Sequence, residues 1–530
     1  MSSSRILPPA RRQVQVADLA AHPGVRLEGD PTVTVSSVVL DNRRAEAGDL
    51  FAAVPGARVH GASFAADAVS RGATAVLTDA AGARAVRDAG CDVPVLVAED
   101  VRATLGAVAA AVHGEPAAAM RTFGVTGTNG KTTTTFLLDH ALRALGRRTG
   151  LVGTVESRFG DTVVPSTLTT PEAPELQGWL AAMVADDVDT LSMEVSSHSI
   201  AMHRVDGIVF DVVGFTNLSQ DHLDFHGTLE DYFAVKAELF GPERARRGVV
   251  VVDDEWGARL AREARVPVTT VATTTVDADA DWTVQDVETE PGGSRFTLVH
   301  RDGRRVATRV ALPGGFNVAN AALACVMLLE SGVDADTLVA ALGPEGFDAR
   351  VPGRMEVLSD APRVVVDFAH NADALELALS SLRMTTPGRL VVVFGATGDR
   401  DRGKRPHMGA VAARFADVVV VTDDDPHSEP PGPIRAEVIA GARAVTGREG
   451  PGPEILEIAP RAEAIRQAVL SAAATDTVLL AGRGHETVQE VDGVDLPLDD
   501  RVEARAALAA RSTGRERTAP TPHDEGDTHA

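Results

Sequence analysis

The sequence predicts an α/β protein of three domains. They are a small N-terminal α/β domain, a central domain with a mainly parallel sheet of the P-loop type, and a C-terminal Rossmann-like α/β domain. Three observations predict it. Short β-branched runs alternate with alanine-rich helical segments along most of the 530 residues, the pattern that builds parallel sheets. That length suits about three or four separate cores, and two junctions rich in turn residues divide it, His113-Gly-Glu-Pro116 and Gly346–Arg354. One stretch, Thr122-Phe-Gly-Val-Thr-Gly-Thr-Asn-Gly-Lys-Thr-Thr133, reads as strand, glycine turn and helix start.

Taken in order, residues 1–13 are expected to be a disordered leader. Residues 14–115 carry the runs Val33–Leu40, Ala73–Thr78 and Val93–Val97 between helical segments, the first small domain. Residues 116–348 hold Thr190–Glu194, Ile208–Val213 and Gly248–Val252 as parallel strands. In the same domain 281–312 reads as antiparallel strands turned at Gly292-Gly293 and Asp302-Gly303. Residues 349–511 hold Val364–Phe368, Leu390–Phe394, Val418–Thr422 and Val478–Ala481, apolar throughout as strands buried on both faces are. The polar tail 512–530 has no periodicity and is expected to be disordered.

Composition narrows the function classes. Hydrophobic content of 44% and charged content of 24% are those of a globular chain, and aromatics at 4% leave the cores to aliphatic residues. The net charge of −24 argues against a general nucleic-acid or anionic-membrane binder, which needs a basic surface. Cys91 and Cys325 are isolated, so neither a disulfide framework nor a zinc site is expected. No apolar signal-peptide core is seen near Met1, and no run approaches the roughly 18 apolar residues of a membrane span. The chain reads as cytoplasmic, with no membrane insertion.

The glycine turn carries the chemistry. Gly127 and Gly130 let the backbone approach an anion, Lys131 adds a compact positive charge, and Thr132 has the hydroxyl that such loops offer to Mg²⁺. Val125 stands where the usual G-x-x-x-x-G-K-[ST] spacing has its first glycine, so a bare pattern search misses the loop. The stretch is read as an ATP site. Four more sets follow strands: Glu194-Val-Ser-Ser-His198, Thr216–His226 with Lys236 on the next helix, Asp367-Phe-Ala-His370, and Gly398–Pro406.

With these motifs on the page, the sequence resembles the Mur ligases of peptidoglycan synthesis, and most closely the MurE type, over roughly residues 30 to 510. Gly353-Arg-Met-Glu356 and Gly482-Arg-Gly-His-Glu486 extend the match. The resemblance implies a monomeric ATP- and Mg²⁺-dependent ligase that adds the third amino acid to UDP-MurNAc-L-Ala-D-Glu through an acyl phosphate. Its partners would be that UDP-precursor and a free amino acid.

It also implies roles. Gly127, Thr128, Asn129, Gly130, Lys131, Thr132, Thr133, Asn317, Arg354 and His370 would bind ATP. Glu194, His222 and an N6-carboxylated Lys236 would hold a second Mg²⁺, with Thr132 on the first. An unmodified ammonium would repel the cation, whereas a carbamate offers it oxygen. Ser36, Asp41, Arg43, Thr169, Thr170, Ser196 and Arg204 would contact the UDP-precursor, although Asn42 replaces a common serine and Met202 a common glutamine.

Arg400, Asp424, Asp425, His427, Gly482 and Glu486 would receive the amino acid. Diaminopimelate-adding relatives carry Asp-Asn-Pro-Arg where this chain has Asp424-Asp-Pro-His427. The missing arginine–carboxylate contact is worth on the order of 1.5–3 kcal/mol, and the added aspartate favours a bare ammonium. That points to L-lysine or a shorter diamino acid such as ornithine. Gly482 and Glu486 match the diaminopimelate type and keep that version open. The rivals are folylpolyglutamate synthase, disfavoured by the extra N-terminal domain, and a non-catalytic or regulatory nucleotide-binding protein.

Overall fold

The computed structural model describes residues 5–166, 168–274, 279–290, 292–446 and 451–516. Two compact units divide the chain between Ala349 and Arg350, with 290–293 and 312–315 clustering with the second. The first unit carries the N-terminal and central α/β domains and the second the C-terminal one.

The N-terminal sheet has five strands, in the order Val25–Glu28, Val95–Ala98, Ala75–Thr78, Asp49–Ala52, Ser37–Val39. The first pairs antiparallel and the rest are parallel. The expected single run Val33–Leu40 divides at Ser36: Thr34–Val35 pairs with Val14–Gln15, and Ser37–Val39 joins the five-stranded sheet. Ser36 donates its N–H to Gly48 O at 2.8 Å, which turns the chain from one sheet to the other.

Of the expected leader 1–13, residues 1–4 lie outside the described residues. Residues 5–8 are half-buried against the first unit while 9–12 are exposed, and the Arg5 guanidinium pairs with the buried carboxylate of Asp49. The short sequence gave no periodicity to read, and what fixes the segment is one buried charge about forty residues away. The tail is also shorter than expected, because the helix from Asp500 runs on to Glu516; residues 517–530 lie outside the described residues.

The central sheet places the site. Strand Arg121–Thr126 lies between Thr190–Glu194 and Val212–Phe215, all parallel, so the loops after the three strands open side by side. Thr149–Val152, Gly248–Val251 and Val268–Ala272 continue the parallel part. An antiparallel hairpin, Glu156–Phe159 with Thr162–Pro165, closes one edge, and Trp282–Glu290, Gly293–His300 and Arg305–Val310 extend the other. The expected strand from Ile208 begins only at Val212. Phe123 and Val125 are fully buried, and such side chains each contribute about 1.5–3 kcal/mol.

In the second unit the sheet order is Glu356–Asp360, Arg363–Asp367, Thr477–Ala481, Leu390–Phe394, Val418–Val421, Glu454–Glu457. Only the first pair is antiparallel. The loops that open with Phe368, Gly482, Gly395 and Thr422 therefore share one carboxyl edge. Among the described residues no helix is long and apolar enough to cross a membrane.

Candidate active site

The glycine turn is a rigid cradle. Gly127 and Gly130 have φ of 141° and 89°, and a Cβ at either would run into the Thr216 hydroxyl or the Asn320 side-chain oxygen. Glycine alone suits that crowded left-handed backbone. The Thr216–Ser219 segment braces the loop: Thr216 Oγ1 donates to Asn129 O at 2.6 Å, Asn129 N to Asn217 Oδ1 at 3.0 Å, and Ser219 N to Thr128 Oγ1 at 3.0 Å. Lys131 opens the helix Lys131–Ala144 and curls back, its Nζ donating to Gly127 O at 3.0 Å and Thr128 O at 2.8 Å. A cation folded onto its own loop can swing to an arriving phosphate. Asn317 and Asn320 share a 3.0 Å bond on the helix Gly315–Glu330, a turn apart.

Glu194 is held from several sides. Its side chain is buried, and its two oxygens accept three hydrogen bonds: Thr154 N at 2.7 Å, Thr154 Oγ1 at 3.0 Å and Thr132 Oγ1 at 3.0 Å. Sequence reasoning named Thr132 and missed Thr154. The signal was a glycine–threonine pair just past the strand Thr149–Val152, the same strand-end position that marked the other motifs. Hydroxyl and carboxylate oxygens side by side at a phosphate cradle are the donors a hard divalent cation accepts, so these residues fit Mg²⁺.

Lys236 is buried on the helix Leu229–Ala237, and its Nζ donates to Gly127 O at 2.8 Å. The Tyr232 ring lies 4.4 Å from that nitrogen. Burial, and then the neighbouring charge of Lys131, push its pKa well below the ordinary lysine value, which favours a neutral amine. His222 sits at φ 54°, an uncommon backbone for histidine that such sites tolerate. Its ring lies 4.9 Å from that of His198 and 6.3 Å from that of Tyr232. His226 joins the cluster through Ser197 Oγ at 2.9 Å, and burial with His198 pulls its pKa to about 4.

The residues expected to meet the UDP-precursor fall in two groups. Thr169 Oγ1 lies 3.1 Å from Thr154 Oγ1, and Thr170 Oγ1 donates to Glu194 O at 2.9 Å, so both border the buried acid. Ser196 caps the short helix Ser197–Ala201 through Ser199 N at 3.1 Å. Arg204 pairs with Glu172 at 2.9 Å, and an Nη lies 3.5 Å from the sulfur of Met202. On the N-terminal sheet, Ser36 is buried and Asp41 pairs with Arg43 at 2.7 Å.

In the second unit, Arg483 organises the loop edge, and sequence reasoning missed it. Fully buried, it lies 2.5 Å from Asp425, 3.3 Å from Asp424 and 3.7 Å from Glu486. The added aspartate, Asp425, therefore already has a guanidinium partner. The cluster still holds three acids against the one arginine ion-paired with them. Burial, then Asp424, push the Glu486 carboxyl up to about 8, and burial and Asp424 raise Asp425 as well. Burial works against Asp424 too, but Arg461 and Arg483 hold it below its usual range.

His427, at φ 49°, pairs with Glu490 at 2.8 Å. Gly482 has φ 108°, and Arg400 is exposed before the helix Lys404–Phe415. His370 Nδ1 lies 2.8 Å from Phe368 O, and the Arg354 guanidinium lies 4.2 Å from the Phe368 ring.

The comparisons with known proteins agree on one family. Its N-terminal, middle and C-terminal domain patterns match residues 34–113 (Mur ligase family, catalytic domain), 125–328 (Mur ligase middle domain) and 353–484 (Mur ligase, glutamate ligase domain). A UDP-N-acetylmuramyl-tripeptide synthetase of Leifsonia xyli is 48% identical over 497 residues, 93% of this chain and 95% of that protein. A UDP-N-acetylmuramoyl-L-alanyl-D-glutamate–2,6-diaminopimelate ligase of Streptomyces coelicolor is 46% identical over 499 residues, 93% and 96% of the two chains. A solved structure of a ligase of that same name superposes with a TM-score of 0.66 at 31% identity, covering 94% of this chain and 100% of its own. The chain belongs to the Mur ligase family and is a ligase of its tripeptide-synthetase, MurE type.

Proposed function

We propose that this ligase uses ATP and Mg²⁺ to join a diamino acid to the D-glutamyl carboxylate of UDP-N-acetylmuramoyl-L-alanyl-D-glutamate, acting as a monomer in the cytoplasm. The observation that carries the reading is the buried Glu194, bonded to the cradle threonine Thr132, with Lys236 bonded to the same loop. The γ-phosphoryl group passes from ATP to the substrate carboxylate, leaving ADP. The free amine then attacks the acyl phosphate, the C–N bond forms as phosphate leaves, and the ammonium proton is lost to solvent.

The residues position more than they react. The cradle N–H groups and Lys131 hold and neutralise the phosphates, while Thr132 would hold one Mg²⁺, and Glu194, His222 and Lys236 as its carbamate a second. Bound there, the metal would neutralise charge on the transferring phosphoryl oxygens. A neutral amine is the form that takes up CO₂, which is why the low pKa of Lys236 favours the modification. Thr169, Thr170, Ser196 and Arg204 would position the dipeptide end beside the cradle. Asn317, Arg354 and His370 would bind the nucleoside, and Ser36, Asp41 and Arg43 the UDP end.

For the amino acid, the acid surplus of Asp424, Asp425 and Glu486 over Arg483 favours an incoming ammonium, and a bound ammonium would draw the proton off Glu486. His427 is tied to Glu490 rather than open to a second carboxylate. L-lysine or ornithine is therefore the reading that the charges support, with Arg400 for the α-carboxylate. Diaminopimelate is the second reading, supported by the names of relatives at 46% identity. The test is phosphate release with precursor and lysine, ornithine or diaminopimelate offered singly. The expected result is no release without both co-substrates, and kcat/KM for lysine or ornithine above that for diaminopimelate by roughly tenfold or more. A preference for diaminopimelate would overturn the charge argument and leave the ligase intact.

A second expected outcome concerns the cradle. Gly127→Ala forces a Cβ into the Thr216 hydroxyl at a left-handed φ, a strain of about 1–3 kcal/mol. Calorimetric titration with ATP should show affinity reduced by roughly tenfold or more, with the amino-acid KM unchanged.

A further inference from the structure

The segment Arg5–Leu7 is built into the first unit as a strap. Its anchor is Arg5, whose side chain is 11% exposed and faces a fully buried Asp49. The same guanidinium donates to Ser37 Oγ at 2.6 Å and to Arg44 O at 3.3 Å. From there the strap crosses onto the central domain. Ile6 packs against its core cluster, and Leu7 meets the helix Ala173–Ala185 at Gly178, where a Cβ would stand 3.0 Å from Leu7 Cδ2.

The strap walls a cavity of about 140 Å³ that Asp41 and Glu172, the partner of Arg204, also line. Leu7, Leu40 and Trp179 supply apolar sides, while Asp41, Arg44 and Glu175 supply polar edges. A closely similar volume, roughly 150 Å³, is known to accept one benzene ring. A six-membered heterocycle with an imide edge matches both the size and the mixed lining: apolar faces for the ring, and a carboxylate and a guanidinium for its N–H and C=O groups.

We propose that the N-terminal strap Arg5–Leu7 completes the nucleobase pocket of the UDP-precursor, with Leu7 as a wall and Arg5 as a positioning residue. Arg5 acts through Asp49, Ser37 and the Arg44 carbonyl, holding the turn that presents Asp41 and Arg44. This rests on the reading that Ser36 and the Asp41–Arg44 turn receive the UDP end. It adds that a segment outside the regular secondary structure sets affinity for that end and not for ATP or the amino acid.

The experiment compares the full chain with a chain lacking residues 2–7, with Leu7→Trp, and with Arg5→Ala and Arg5→Lys. KM is measured for each of the three co-substrates, and UDP alone is titrated by calorimetry. Truncation and Leu7→Trp should each raise the KM for the precursor and weaken UDP binding on the order of tenfold, the discrimination that a few lost or blocked apolar contacts give. The ATP and amino-acid KM values and kcat should stay within about twofold. Arg5→Ala should do the same in part and Arg5→Lys should recover most of it.

Leu7→Trp keeps the strap and the Arg5–Asp49 pair, so it gives a result even if the truncated chain melts early. Unchanged UDP affinity in Leu7→Trp overturns the proposal. Arg44→Ala tests the reading beneath it: if Arg44→Ala and Leu7→Trp both leave UDP binding intact, the Asp41–Arg44 assignment fails and the strap pocket falls with it. If Arg44→Ala weakens UDP and Leu7→Trp does not, the strap fails and the turn stands.

Discussion

Lys236→Ala is expected to lower ligation by at least about a hundredfold to a thousandfold, the usual cost of removing one pre-placed electrostatic group from a phosphoryl-transfer site. The side chain is buried, its amine is driven toward the neutral form by burial and by Lys131, and it reaches the cradle carbonyl of Gly127. A neutral amine so placed can take up CO₂ and release a proton, giving an anionic oxygen ligand where an ammonium would have repelled a cation. Three readouts separate this from simple loss of packing. Lys236→Arg should be equally inactive, because a guanidinium does not form the carbamate. Wild-type protein depleted of CO₂ should lose activity and regain it with bicarbonate. Millimolar formate or acetate should restore part of the activity of Lys236→Ala and none to Lys236→Arg. Full turnover by Lys236→Arg would remove the carbamate from the mechanism.

Lys236 also shows what the sequence made legible and what it did not. Its place on a helix after the Thr216–His226 motif could be read from spacing, and so could the cradle, because a strand, two glycines and a lysine are contiguous in the chain. Parallel strands did the rest: each motif ends a strand, and adjacent strand ends must open on one edge. What escaped notice acts across large separations in sequence. Thr154 clamps a carboxylate forty residues away, Arg5 answers Asp49, and Arg483 neutralises Asp425 across 58 residues. Such partners carry no local periodicity, and their residue types are ordinary when read singly. The Asp425 substitution was visible as a new negative charge; the buried arginine that balances it was visible only in three dimensions.

The second large effect is expected at Arg461. Arg461 and Asp500 are both fully buried, joined by bonds of 2.8 Å and 2.6 Å in a two-pronged pair. Arg461→Met leaves Asp500 without its counter-charge in a dry interior and should cost about 3–5 kcal/mol of stability in the second unit. The double variant Arg461→Met, Asp500→Leu removes both charges and should recover most of that loss. Denaturant unfolding followed by a probe in the second unit measures both; equal loss in the single and double variants would mean that the pair is not the source.

The arginine also donates to Ala481 O at 2.8 Å and Asp423 O at 3.2 Å, the strand ends from which the Gly482–Glu486 and Asp424–His427 loops leave. Burial alone would raise the Asp424 pKa, and Arg461 is foremost in opposing it. Without Arg461 that pKa rises, so the carboxylate is lost as pH falls through the higher value. The double variant, though stable, should therefore lose affinity for the amino acid at a higher pH than the wild type does as the solution is acidified, read as KM against pH for both. Coincident profiles for the double variant and the wild type would show that Arg483 alone keeps Asp424 charged.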